Sequence, residues 1–259
     1  MTAHELVSRK RLRYLRDRLQ RVVNKRPKLS YKQYSELAFW RQELENIVSW
    51  YEGRLDRFWE RLPPEKADKV TAYDRITNAV LTWSQVNWSY YPEHLLIPTG
   101  YFAGMRLLDV GCGPIPRARV FQQCQLYALD PLLNLYREAG FPLEHYKDVT
   151  FVGAGAEAIP FEDNFFDAVI SVNAIDHVDD FTAAAGEIAR VLKPNGIVRL
   201  EIDYHEPTIC EPCALNDEAV LRAFGPMNVR KVAQRRCSEL SPEGQDKQIL
   251  TVWSGKVDP

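Results

Sequence analysis

The sequence predicts an α/β fold: a largely parallel sheet preceded by a helical N-terminal extension. Three observations carry the prediction. After Gly100, short apolar runs alternate with helical stretches, the pattern of a parallel sheet with crossover helices. Before that point, residues 5 to 98 read as helical. Between the two, the apolar run Arg106–Val110 leads into "DVGCGP", where an acid and two glycines crowd the end of a strand. The chain therefore divides into a helical extension or cap, 1–98, and a sheet domain, 99–259.

In chain order, Leu12, Leu15, Leu19, Val22 and Val23 recur at helical spacing, and Pro27 ends that helix. A second helix, "YSELAFWRQELENIVSWYEGRLDRFWERL", has Phe39, Trp40, Leu44, Ile47 and Tyr51 as its apolar stripe and breaks at Pro63–Pro64. A third, "EKADKVTAYDRITNAVLTWSQVNWSYY", stops before Pro92. Strands are expected at Arg106–Val110, Gln125–Leu129, Thr150–Val152, Asp167–Val172 and Gly196–Asp203. The helix "DFTAAAGEIARVLK" joins the last two and exits at Pro194–Asn195–Gly196. Near the end, "MNVRKVAQRRC" and "KQILTVWSGK" form an antiparallel pair at the sheet edge, separated by "SELSPEGQD".

Bulk properties narrow the function. The chain of 259 residues is 46% hydrophobic and 26% charged, an ordinary globular balance. A net charge of −2 argues against a molecule built around nucleic acid. The charge is uneven: Arg9–Lys28 holds ten Lys or Arg and one acid, Asp17. Such a basic helix is a solvated face, or an arm that docks a partner or an anionic surface. No apolar stretch approaches the roughly 18 residues of a transmembrane segment. The first residues lack the apolar core of a secretory signal. Five cysteines without a regular framework suit a reducing interior, so the expected location is cytoplasmic.

Gly111 and Gly113 follow the first strand. Glycine admits positive φ and lets backbone approach a ligand with no Cβ in the way, although such turns also serve only to steer a strand onward. Asp130 ends the second strand, 21 residues after Asp109. An acid at about that distance grips a ribose diol. Pro116 stands where a dinucleotide fingerprint has its third glycine, and no Gly-Lys-Ser/Thr is present. The ligand class is a small molecule containing a nucleoside.

These residues resemble the class I S-adenosylmethionine-dependent methyltransferases, in particular the broad type 11 group. The resemblance covers about residues 104–203, with five motifs in order: "LLDVGCGP", "YALDP", "GAEAIPFEDNFFDAVIS", "VNAIDHVDD" and "EIARVLKPNGIVRL". It implies a Rossmann-like sheet and S-adenosyl-L-methionine as cofactor. Asp109, Gly111, Cys112 and Gly113 would form the loop at its methionine part. Asp130 and Pro131 would lie at the ribose, Gly155, Ala156 and Glu157 along the adenine, and Asn173 at the end of the fourth strand. Two departures stand out. Ile115 replaces a frequent third glycine, implying a different loop path, and Gly155 replaces an acid that accepts from the adenine amino group. Backbone groups or Glu157 would take over that contact.

An oxygen nucleophile needs a base for its proton. "AIDHVDD" offers Asp176 and His177, and "EIDYHEP" offers Asp203 and His205. Asp176, His177 and His205 are the catalytic candidates, with loop or cofactor positioning as the plainer role for His177. Asp203 is read as the start of a loop, and His94 and His145 as lying away from the site. Cys210 and Cys213 form a lone C-x-x-C and are read as two buried thiols, and no metal site is expected.

Five of the six tryptophans, Trp40, Trp50, Trp59, Trp83 and Trp88, lie in the extension, where helical aromatics mostly form core. A helical cap of this kind also frames an acceptor, and the segment "SELAFWRQELE" is similar to leaders on methyltransferases of bacterial polysaccharide pathways. The leading expectation is O-methylation of a sugar or glycan-linked acceptor. Alternatives are a quinone-like or lipid acceptor, and a cofactor-binding protein without catalysis. "VNAIDH" stands where base-methylating enzymes have an N/D-P-P-Y/F motif, so sequence-specific nucleic acid is not an expected partner.

Overall fold

A computed structural model describes residues 29–59, 71–236 and 249–256. The basic segment Arg9–Lys28, the break at Pro63–Pro64, Cys237 and the "SELSPEGQD" linker lie outside the described residues. The chain forms two compact units. One runs up to Trp88 and includes Leu132–Tyr146; the other comprises Ser89–Pro131 and the chain from Lys147 onward. The units cross the 98/99 division at both ends: residues 89–98 group with the sheet, and 132–146 with the helices.

In the helical unit, α1 spans Tyr31–Trp59 and α2 spans Ala72–Val86. Leu37, Leu44, Ile47, Val48 and Tyr51 are the buried stripe of α1, at spacings that keep one helical face inward. Phe39, expected in that stripe, is 57% exposed; it falls off the Leu37–Leu44–Tyr51 heptad line. Trp40 meets Tyr136 and Phe141 edge-on, at 6.3 and 6.4 Å between ring centroids. A capping box opens α2: Thr71 Oγ1 accepts from the Asp74 N–H, and the Asp74 carboxylate accepts from the Thr71 N–H at 2.8 Å.

In the sheet unit, α3 spans Tyr90–Leu95 and contains Pro92 rather than stopping before it. Proline costs nothing in a first turn, where its missing N–H would have no partner. Arg199 closes this helix from the sheet, donating from Nε to the Leu95 carbonyl at 2.7 Å. The strands are β1 Arg106–Val110, β2 Gln125–Leu129, β3 Val149–Val152, β4 Phe166–Val172, β5 Leu192–Tyr204, β6 Arg230–Arg236 and β7 Ile249–Lys256. Their order is β3-β2-β1-β4-β5-β7-β6, with β7 antiparallel between β5 and β6 and the other pairs parallel. The strand order reverses between β1 and β4, which puts a switch point at the carboxyl end of β1.

Alternation along the strands makes two cores. Leu108, Val110, Leu129, Val169 and Leu200 pack with Ala184, Ala185 and Ile188 of a helix at Phe181–Val191. Leu107, Leu126, Ala168 and Ile170 pack on the other face with Tyr91, Leu95, Phe102 and Phe121. That helix is capped by Asp180, whose side chain accepts from the Ala183 N–H at 2.9 Å. Numbered in order after α4 (Leu133–Ala139), it is α5. A last short helix, α6, spans Asp217–Ala223.

Two local expectations change. The helix α5 ends at Val191, and Leu192 already pairs with Phe166 of β4, so Pro194–Asn195–Gly196 forms an irregularity within β5 instead of the helix exit. Gly196 is required there because a Cβ would meet the Lys193 carbonyl oxygen at 2.7 Å. The β1–β2 connection holds only a 3-10 turn, Arg117–Val120. Pro114 and Pro116 keep the residues before them out of the helical region.

Candidate functional site

The loop after β1 sits at the switch point. Gly111 has φ +76° and Gly113 φ +59°, conformations that favour glycine. At Gly111 the tight approach is to the protein itself, since a Cβ there would lie 2.2 Å from Ala174 Cβ. The loop's amides turn toward β2. The N–H groups of Gly111 and Cys112 donate to the Leu129 carbonyl at 2.8 and 3.1 Å, and Gly113 N–H donates to Asp130 Oδ2 at 3.0 Å. With those donors committed, the groups left to face a ligand beside the loop are the acids at the ends of β1 and β2, Asp109 and Asp130. Ile115 is buried beneath it.

Asp109 and Asp130 are both buried at this point. Tyr91 Oη donates to Asp109 Oδ1 at 3.4 Å, and Asp109 Oδ2 accepts no hydrogen bond among the described residues. Burial pushes the Asp109 carboxyl up to about 8; Tyr91 opposes the shift and the charge of Asp130 adds to it. Burial also pushes the Cys112 thiol up, with both acids contributing. A cation brought beside these acids would relieve the cost of their burial.

Ala156 is buried and Pro131 exposed. Glu157 is engaged elsewhere: its Oε1 accepts from the backbone N–H of Asp179 at 2.8 Å and of Asp180 at 3.4 Å, tying its loop to the start of α5. Its Oε2 would lie 3.0 Å from a Cβ at Gly155. Asn173, at φ +48°, donates its N–H to the Glu201 carbonyl at 3.2 Å.

Beyond the carboxyl ends of β4 and β5, the candidate acids and histidines converge. Asp176 and His177 lie in the 3-10 turn Ile175–His177, and Asp203 lies near the end of β5 with His205 just beyond it. His205 Nε2 is 3.6 Å from Asp176 Oδ2 and 3.6 Å from Glu211 Oε2, while His177 Nε2 is 3.4 Å from Glu211 Oε1. The second nitrogen of His205, Nδ1, is 2.7 Å from the Glu206 carbonyl and donates to it. Attraction to Asp176, that carbonyl and Glu211 push His205 up to about 9 against its burial. Burial first, then Asp176, pushes Asp203 up to about 6, and His205 opposes this. Asp203 Oδ1 accepts no hydrogen bond among the described residues.

Sequence reasoning missed Glu211, which lies between the two cysteines that drew attention to that loop. Thr208 Oγ1 donates to its Oε2 at 3.1 Å and accepts from its N–H at 3.0 Å, fixing the side chain. The S/T-x-x-E spacing was the available signal. Cys210 and Cys213 are half-buried and unlinked, rather than two buried thiols; Cys213 Sγ donates to the Val178 carbonyl at 3.4 Å. His94 is also less remote than expected. Its Nδ1 donates to the buried Glu201 carboxylate at 2.7 Å, and its ring stacks on Tyr90 at 3.8 Å. His145 lies in the helical unit, beside Tyr73 at 6.1 Å.

Residues 108–200 match the family model described as a methyltransferase domain. A sterol 24-C-methyltransferase of Schizosaccharomyces pombe is 34% identical over 113 residues, which is 41% of this chain and 30% of that protein. A 2-phytyl-1,4-naphtoquinone methyltransferase of Trichormus variabilis is 33% identical over 120 residues, 42% of this chain and 51% of the relative. The chain thus spans about half or less of these curated relatives. Among solved structures, the YcgJ protein of Bacillus subtilis superposes with a TM-score of 0.51 at 15% identity, over 68% of this chain and 99% of that one. At such identity the likeness shows the fold alone. No helix among the described residues is long and apolar enough to cross a membrane.

Proposed function

We propose that this chain, whose residues 108–200 match a methyltransferase domain, is a class I S-adenosylmethionine-dependent methyltransferase that methylates a hydroxyl of a small polar acceptor, a sugar or glycan-linked molecule, in the cytoplasm. The single observation that carries the acceptor class is the acid and histidine cluster at the ends of β4 and β5. It is partly buried, polar and rich in proton acceptors, which suits a hydroxyl that must lose a proton.

The residues at the β1 loop fit the cofactor. S-adenosylmethionine brings a methyl group on a positively charged sulfonium, together with an ammonium group. Buried Asp109, with its unbonded Oδ2, and Asp130 stand where such cations would lie, and a cation there would draw Asp109 toward its ionised form. Asp130 accepts from Gly113 N–H, and a carboxylate with about four lone-pair positions is the kind of group that accepts from a ribose diol. With Glu157 committed to the turn before α5, backbone groups beside Gly155 and Ala156 serve the adenine. Asp176, His177 and His205 line the reacting hydroxyl and orient it. Asp203 takes its proton, because its Oδ1 is buried beside the cluster with unused acceptor capacity.

Asp203→Asn keeps the shape and removes the proton acceptor. It should lower kcat about 100-fold or more while leaving the affinity for S-adenosylmethionine, measured by calorimetry, within a few-fold. A variant that turns over at the parent rate would remove Asp203 from this role. A quinone-like or lipid acceptor is the second reading, favoured by the sterol and quinone names of the relatives. Transfer of radiolabelled methyl to a quinol and to no sugar would put it first. Cofactor binding without transfer to either class would favour a non-catalytic binding protein.

A further inference from the structure

The four side chains at the ends of β4 and β5 are arranged in a way that proton transfer alone does not explain. Asp176 is fully buried, and neither of its carboxylate oxygens accepts a hydrogen bond among the described residues. The histidine contacts of Asp176 (His205, 3.6 Å) and of Glu211 (His177, 3.4 Å; His205, 3.6 Å) are longer than the roughly 2.7–3.2 Å of a hydrogen bond. The His177–Glu211 spacing, 3.4 Å, matches the edge of a tetrahedron around a cation. Bonds of about 2.0–2.1 Å place neighbouring ligand atoms about 3.4 Å apart. One ligand atom each from Asp176, His177 and Glu211 lies within 4.8 Å of the others.

The supporting contacts have the pattern that orients metal ligands. The Nδ1–H of His205 is held by the Glu206 carbonyl, which turns Nε2 toward the carboxylates. The Glu211 carboxylate is held by the Thr208 hydroxyl. Asp203 adds negative charge close by.

We propose that Asp176, His177 and Glu211 bind one divalent transition-metal ion, with His205 beside them as a partner of the two carboxylates. The mixed nitrogen and oxygen set suits zinc or manganese better than magnesium or calcium, which take oxygen ligands. The ion fastens the segment after β5, through Glu211, to the turn after β4, through Asp176 and His177. The site rests on these side chains and not on the identity of the acceptor.

The test is a calorimetric titration of the chelator-treated full chain with zinc, manganese and magnesium chlorides, with metal content read by elemental analysis. One zinc or manganese ion per chain, bound at least tenfold more tightly than magnesium, is expected. Glu211→Gln and His177→Gln should each weaken that binding at least 100-fold. Thr208→Val, which removes only the support of Glu211, should weaken it about tenfold. Asp179→Asn, a neighbouring acid outside the set, should bind as the parent does. Far-UV circular dichroism melts identify variants that fail to fold, and Thr208→Val then carries the comparison. No stoichiometric binding by the parent, or binding that the ligand variants leave unchanged, would overturn the proposal. Loss of metal binding with methyl transfer intact would leave the site standing and separate it from catalysis.

Discussion

Asp109 is an acid that the fold keeps from water. Its carboxyl is raised to about 8 in the folded chain against 3.8 for the ordinary side chain. The folded state therefore holds a proton that the unfolded chain releases, so this group favours folding below about pH 4. That contribution is lost as pH rises from there through about 8, and is absent above. Tyr91, Asp130 and Cys112 are the titratable neighbours, and the tyrosine and thiol are themselves pushed up by burial. Asp109→Asn should give a stability profile, from urea titrations between pH 5 and 8, that falls less steeply than the parent's. Parallel profiles would mean that Asp109 is ionised in the folded chain. The motif marks this acid in the sequence, but its burial beside Tyr91 is a long-range fact. The same holds for Glu211, whose contact with His177 joins the segment after β5 to the turn after β4.

At the scale of the element, the β1 loop shows what its first glycine is for. The sequence suggests a bare backbone for a ligand; the structure adds a packing reason, the approach of Ala174 after β4. Gly111→Ala should cost about 2–5 kcal/mol, combining left-handed strain with overpacking. Urea midpoints check this. Ala174→Gly in the same chain should recover the packing share but not the backbone share. Equal stability of Gly111→Ala and the parent would show that the loop shifts freely. Local pattern also misread two ends in this chain. Pro92 sits inside a first turn, and Pro194–Asn195–Gly196 within a strand, because neighbouring hydrogen bonds outweigh the residues' own preference.

For the whole molecule, ligand binding is read as stability. S-adenosylmethionine at about 100 times its Kd should stabilise the unit that binds it by about 2.7 kcal/mol, raising its melting midpoint by about 5–10 °C. S-adenosylhomocysteine, which lacks the sulfonium charge, should raise it less at equal concentration. No shift with either, by calorimetric scanning, would remove the cofactor assignment. The sequence by itself determined the strands, their parallel run with an antiparallel pair at the end, and the two acids and glycines of the β1 loop. Those features are written in residues close together, as alternation, spacing and turn chemistry. Tertiary structure alone decided that β7 lies between β5 and β6, that residues 132–146 join the helical unit, and that Glu211 meets His177. Each of these depends on residues far apart in the chain, which only the folded chain brings together.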